Sequence, residues 1–297
     1  MKPIKYQVQM SLKITALHLL FQKGGDFLFI SPMLLESTKE PFDDDSYISE
    51  LKFDGIRIVL SKFNNQIKLY TRHNNEVSSK FPELLNLDVP DGTVLDGEII
   101  VTGADGSPDF EAVMERFMSN KSPHRIVYCI FDVIYSNGQS IASSPLTQRK
   151  EVLKGLEIKH PNAFVLEGIR GNGVSYFNMV KEKGLEGIVL KKANSSYEIG
   201  KRSKNWIKVI NYDFTEVLIT GYTRKDIKFL LSYQDGTPAG MMEFMPKSER
   251  HKFHSMKKLK SETEDFVFVE PISCNVKHRF MTKHGKLRLP SFVSWRE

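Results

Sequence analysis

Apolar residues recur along most of this chain in short runs of strand length, separated by glycine, proline and asparagine turns. Residues 47–53 and 58–63 are two such runs. They flank Asp54-Gly55, a turn dipeptide in which glycine takes positive φ freely. Asn64-Asn65 then predicts a hairpin turn into a strand over 67–70, and Asn74 and Asn75 suit a second turn because asparagine tolerates the left-handed region. Strands follow over 94–101 and 126–135. Helices are expected from Phe81-Pro82-Glu83 (short, with proline in its first turn), over 108–118 with Asp109 facing the helix dipole, from Pro145, and over 174–183 with Gly184 as its stop. Beyond about Asn211 the rhythm shortens. Strands are predicted over 214–222, 227–233, 240–244, 266–270, 274–280 and 286–295, with one Lys- and His-rich helix inside 247–260.

The fold class is therefore α+β. Antiparallel sheets with flanking helices occupy 31–210, and a small Greek-key barrel of the OB type occupies 211–297. Residues 1–30, with a Gly24-Gly25-Asp26 turn, form an N-terminal extension without assigned role. A length of 297 residues fits two domains, and 40% hydrophobic with 26% charged residues gives ordinary globular cores. A net charge of +6 favours a polyanionic partner. Cys129 and Cys274, the only cysteines, lie in or beside apolar runs and suit a reducing compartment. No apolar run reaches membrane-spanning length, and no cleavable leader pattern is evident, so a cytoplasmic monomer is expected.

Candidate chemistry centres on Glu50-Leu51-Lys52-Phe53-Asp54-Gly55-Ile56-Arg57. A lysine at a strand end can be aimed into a cleft, where apolar walls and nearby cations turn it into a nucleophile. On spacing alone, a hairpin with a solvated lysine at its tip is the favoured reading. Asp96-Gly97-Glu98 interrupts an apolar strand, and such an acid is costly unless paired or metal-bound. A helix, a glycine stop and a strand entered by Glu186-Gly187 repeat that logic, with Lys191 at the far end. His251 and His254 fall at ligand spacing but lack cysteine or acidic partners for zinc.

Lys52-x-Asp-Gly-x-Arg57 resembles the nucleotidyl-transfer motif of the ATP-dependent DNA ligases, within a superfamily that includes RNA ligases and mRNA capping enzymes. The remaining motifs follow in order: Thr71-Arg72, Phe81-Pro82-Glu83, Asp96-Gly97-Glu98, Phe131-Asp132-Val133-Ile134-Tyr135, Glu186-Gly187, Trp206-Ile207-Lys208 and Arg288-Leu289-Pro290-Ser291-Phe292. The resemblance covers about 31–297. It implies that Lys52 takes AMP from ATP, passes it to the 5′-phosphate of nicked duplex DNA, and that the 3′-hydroxyl then seals the strand. By the same resemblance Glu50 reads the base edge, Phe131 stacks on adenine, and Arg72 meets the ribose or the nick's 5′-phosphate. Lys191 and Lys208 oppose the α-phosphate, Arg296 meets the pyrophosphate, and Arg57 and Arg202 complete the ATP contacts. Glu98 and Glu186 would hold Mg2+ or Mn2+, with Glu98 also near the ribose. The enzyme would work in the cytoplasm at the nucleoid. The chain departs from the family pattern at Asn74 or Asn75 for glycine, at Ile210 for a second lysine, and in lacking Asp-Lys after Arg296. An RNA ligase, a capping-type enzyme, or a non-catalytic nucleic-acid-binding relative are the alternatives.

Overall fold

The computed structural model describes residues 28–103 and 106–296, so the 1–30 extension and its Gly24-Gly25-Asp26 turn lie almost wholly outside the described residues. Contacts divide the chain into two compact units. The first runs to Val174 and takes in Val189–Lys208; the second comprises Ser175–Ile188 and the chain from Val209.

In chain order the first part contributes β1 (Leu34–Thr38), β2 (Tyr47–Leu51), β3 (Ile56–Phe63), β4 (Gln66–Thr71), β5 (Thr93–Val101), α1 (Phe110–Met118), β6 (Ile126–Ser136), β7 (Gln139–Ser140), α2 (Leu146–Gly155), β8 (Ala163–Val165), β9 (Ile169–Arg170), α3 (Gly173–Glu182), β10 (Gly187–Lys192) and β11 (Arg202–Ile210). One sheet runs β4-β3-β5-β6-β7, with β8 beside β6; the other runs β1-β11-β10-β2-β9. Alternation along β3 explains why its sheet is buried on both faces. Ile58 and Leu60 enter a core with Leu95, Ile99, Tyr128 and the α1 residues Ala112 and Val113, whereas Val59 joins Val94, Ile134, Val189 and Trp206.

The expected turns form, each for a definable reason. Asn64 and Asn65 sit at φ 52 and 57, the two left-handed positions of a hairpin turn that matches strand twist, and Asn74 sits at φ 63. Asp109 is the N-cap of α1, accepting from the Ala112 N–H at 2.9 Å. The short helix expected from Phe81-Pro82-Glu83 forms as a single 3-10 turn, Pro82–Leu84, with proline at its start and Leu84 buried, after another at Ser78–Lys80. One expectation changes. Gly55 does not adopt positive φ. Glycine is needed there because a Cβ would lie 2.2 Å from the Ile99 carbonyl oxygen.

The second unit carries a six-stranded sheet ordered β14 (Pro238–Met242), β13 (Phe229–Ser232), β12 (Asp213–Thr223), β16 (Phe266–His278) and β15 (Leu259–Glu262), with β17 (Ser291–Trp295) on β16 and α4 (Lys247–Met256) packed against it. This is the curled sheet of an OB barrel. The strands expected over 266–270 and 274–280 are one strand, and β15 was not foreseen. Pairing of β12 with β16 slips between Ile219 and Gly221, opposite Phe268 and Ile272, so Pro271 falls in a bulge where its missing N–H breaks no ladder bond. Cys129 and Cys274 are buried free thiols; burial pushes both up, Cys274 to about 12. Among the described residues no helix is long and apolar enough to cross a membrane.

The strongest internal tie of the first unit is Arg149 of α2 on Asp132 of β6, both without solvent exposure. The guanidinium donates to both carboxylate oxygens at 2.8 Å and to the Ser144 and Ser195 carbonyls. Arg149→Ala strands the Asp132 charge and should lower stability by about 3–5 kcal/mol. Urea unfolding measures this, and a loss under about 1 kcal/mol would show that the pair does not lock α2 to β6.

Candidate active site

Lys52 lies just past the end of β2, two residues after Glu50. Its ammonium is half-buried and approaches its neighbour's Phe53 carbonyl at 3.4 Å, a weak contact. The turn that carries it is pressed onto β5. The position a Cβ would take on Gly55 is 3.0 Å from Glu98 Cγ, and Arg57, Glu98 and Cys129 are opposite one another across β3, β5 and β6. Arg57 and Glu98 are thus brought together by the β3–β5 register, and the Gly55 turn that follows Lys52 is set against Glu98.

Glu50 is 1% exposed. Lys150 of α2 meets its Oε1 and Lys191 of β10 its Oε2, the latter at 2.7 Å. Burial works to raise the Glu50 pKa, but Lys150 and Lys191 together outweigh it and hold the carboxyl below its ordinary value. Lys191, 2% exposed, has its ammonium 4.3 Å from the Phe131 ring centroid and 4.0 Å from that of Trp206. Burial pushes Lys191 below the usual lysine range, and Glu50 only partly offsets this. Glu50 Oε1 and Lys191 Nζ are met by their ion pairs, whereas the buried Trp206 Nε1 has no hydrogen-bond acceptor. An unpartnered donor and two aromatic rings beside a buried ion triad are the mark of a place that a ligand completes.

A second network closes the other side of Phe131's surroundings. Arg57 donates to Asp96 from Nε at 2.9 Å and from its terminal nitrogen at 2.6 Å, and Tyr197 donates its hydroxyl to the same carboxylate at 2.6 Å. Burial alone would weaken the Arg57 charge; Asp96 and Tyr197 hold it firmly protonated. Burial and then Asp96 push the Tyr197 phenol well above its ordinary value, so it stays a donor. The Arg57 guanidinium lies 5.4 Å from the Phe131 centroid.

The other expected residues are placed differently. Lys208 shares a β11 face with Trp206, two residues away. Arg202, at the exposed start of β11, donates to the Leu35 carbonyl of β1. Arg72 is in the exposed turn after β4 and donates to His73 at 2.9 Å. In the second unit Glu186 is buried and ion-paired with Arg279, and Arg296 pairs with Glu216 at 2.7 Å. No group of three metal-ligating side chains gathers among the described residues. Lys150, Asp96 and Tyr197 escaped sequence reading. Asp96 alone left a signal, being the more deeply buried acid of the Asp-Gly-Glu run.

Residues 32–209 match the family model of the ATP dependent DNA ligase domain. The chain is 75% identical over 269 residues to the SPbeta prophage-derived DNA ligase-like protein LigB of Bacillus subtilis, covering 91% of this chain and 100% of that protein. It is 29% identical over 196 residues to the multifunctional non-homologous end joining protein LigD of Mycolicibacterium smegmatis, 65% of this chain but only 25% of that protein. Among solved structures, a Lig E DNA ligase superposes with a TM-score of 0.62 at 19% identity, covering 89% of this chain and 99% of that one. Mycobacterial DNA ligase D complexed with ATP gives 0.57 at 21%, covering 90% and 95%. At those identities the structures establish likeness of fold.

The buried carboxylate has a pH signature. A carboxyl whose folded pKa is depressed stabilises above its unfolded value, and that contribution is lost as pH falls through the folded value. Glu50→Gln should therefore destabilise at about pH 7, and its deficit against wild type should shrink as pH falls below about 4.3. Urea unfolding of both proteins across that range measures it. A constant deficit would mean that Glu50 is not the ionised partner of the lysines.

Proposed function

Because the chain belongs to the ATP-dependent DNA ligase family, we propose that its first unit, within residues 31–210, is the adenylation domain and that Lys52 is the lysine that carries AMP. The protein is an ATP-dependent DNA ligase. The observation that carries the residue assignment is the cluster around Glu50, two residues before Lys52: a buried glutamate paired with two lysines, and two aromatic rings, one with an unpartnered N–H. Adenine lies against Phe131 with its edge toward Glu50, and the phosphates run toward Lys52, with Lys208 on the neighbouring strand. Residues 211–297 form the OB domain, and 1–30 an appended extension.

Chemistry then follows from placement. The Lys52 nitrogen attacks the α-phosphorus of ATP, the N–P bond forms as the bond to pyrophosphate breaks, and the proton shed from nitrogen passes to solvent. The 5′-phosphate oxygen at a nick next displaces the lysine and takes AMP. Attack by the 3′-hydroxyl on that activated phosphate releases AMP and closes the strand. Each displacement is limited by charge on phosphate oxygens, so fixed cations matter more than acid–base groups. Lys208 and, once a purine occupies its ring face, Lys191 supply them. Arg57 is already committed to Asp96 and acts by fixing the Lys52 turn against Phe131. Magnesium or manganese neutralises phosphate charge when bound. Glu98 is the carboxylate best placed to hold it, in keeping with a cation that needs one or two carboxylates plus substrate oxygens. Glu186 could contribute only after leaving Arg279. Nicked duplex DNA is the substrate, engaged by a protein of net charge +6 that acts as a monomer at the cytoplasmic nucleoid.

The test uses α-labelled ATP with magnesium, denaturation, and detection of label on the chain. Label on wild type that discharges when nicked DNA is sealed, and is absent from Lys52→Ala, is expected. Label retained at another lysine, or discharge onto nicked RNA only, overturns the assignment. Sealing should also weaken as salt rises, with a linear dependence of the logarithm of affinity on the logarithm of salt. A salt-independent reaction would mean that phosphate contacts do not hold the DNA.

A further inference from the structure

Lys150 has a place that the reaction itself does not call for. It enters from α2, opposite the aromatic wall that holds Lys191. Its ammonium meets Glu50 Oε1 and donates to the Leu166 carbonyl at 2.9 Å. Lys191 takes the other carboxylate oxygen. The two lysines are not equivalent. Lys191 is inside the Phe131–Trp206 corner, on ground a purine would contest. Lys150 is off to one side, 15% exposed, at the wall of a cavity of about 570 Å³ shared with Ile48, Phe164 and Gly168. Gly168 seals the back of Glu50, since a Cβ there would come within 2.9 Å of Glu50 Cγ. Glu50 is therefore tied on one side by Lys150 and the Leu166–Gly168 segment, and on the other by a lysine that a ligand can displace.

We propose that Lys150 is a positioning residue that fixes Glu50 to accept from a 6-amino group and thereby makes the site select a 6-aminopurine over a 6-oxopurine. This rests on the reading of Phe131 and Glu50 as the purine site. Four acceptor directions exist on a carboxylate, and Lys150 with Lys191 fills only part of them. An exocyclic amino group supplies a donor to what is left. A 6-oxo group instead turns an acceptor toward a buried, ionised acceptor, which is repulsive. To bind, a 6-oxopurine must slide until its N1–H meets the carboxylate, or Glu50 must move or take up a proton. The Lys150 tether opposes all three by holding the oxygen in place and keeping it charged. Without that tether, selection by the carboxylate is lost, while Lys52 and Lys208 keep their surroundings.

The experiment labels full-length wild type, Lys150→Met and Lys150→Arg with α-labelled ATP or inosine triphosphate, which differs at position 6 without adding a 2-amino group. Half-saturating concentrations and limiting rates of Lys52 labelling are read separately, alongside thermal melts. Wild type should favour ATP. Lys150→Met should narrow that preference by about tenfold and raise the half-saturating ATP concentration more than it lowers the limiting rate, and Lys150→Arg should recover most of the preference. A folded Lys150→Met that keeps the wild-type ATP to inosine triphosphate ratio overturns the proposal while leaving the ligase assignment intact. A variant that loses both substrates equally, with no recovery in Lys150→Arg, reduces Lys150 to a structural strut and also overturns it. Absence of label on wild type with either nucleotide removes the purine-site reading itself, and the proposal with it.

Discussion

A carboxylate cannot be taken out of water without cations to meet it, and Glu50 is the place where this chain accepts that condition. Two lysines from distant parts of the sequence must converge on it, one from α2 and one from β10. Their convergence fixes α2 against β2 and β10 beside β2. Lys52 follows Glu50 by two residues, just past the end of β2, so what holds Glu50 also fixes the backbone that leads into Lys52. The tie between Arg149 and Asp132 reinforces the arrangement from behind, because Lys150 can reach Glu50 only while α2 is held on β6. Structure and chemistry are here the same set of contacts.

The neighbouring network of Arg57, Asp96 and Tyr197 solves a different problem. Residues 52–57 turn between strands that belong to different sheets, and such a turn would flex if only its backbone held it. Arg57 anchors the far end electrostatically, and Gly55 removes the side chain that would keep the turn away from Ile99. A lysine held between two such fixings loses little orientational freedom, which is what the proposed displacement at phosphorus, with its near in-line approach, requires.

Much of this was legible in sequence, because alternation and turn residues carry strand positions directly. Asn64-Asn65 and Asn74 have left-handed geometry, and Asp109 caps its helix. Failures fall where the deciding partner is remote. Gly55 reads as a positive-φ turn residue, yet a carbonyl more than forty residues away is what requires it. Residues 266–280 read as two strands because Pro271 punctuates them, and only the slipped pairing with β12 shows a bulge within one. The partner of Glu186, Arg279 from the far end of the chain, likewise left no sign in the local pattern. Lys150 looked like any cation on an amphipathic helix. Periodicity reports which face a side chain takes, never which partner waits there.

The corner formed by Phe131, Lys191 and Trp206 has an optical consequence. The chain has two tryptophans, Trp206 in the first unit and Trp295 in the second. The Trp206 indole has an ammonium against its face and an N–H without an acceptor, while Trp295 stacks on Phe253 and donates to Glu249 at 2.6 Å. Their emission therefore arises from unlike surroundings, one polarised by a neighbouring charge and one anchored in the barrel. The molecule thus comes with a native fluorophore for each of its two units, and the one in the first unit borders the space proposed for the purine.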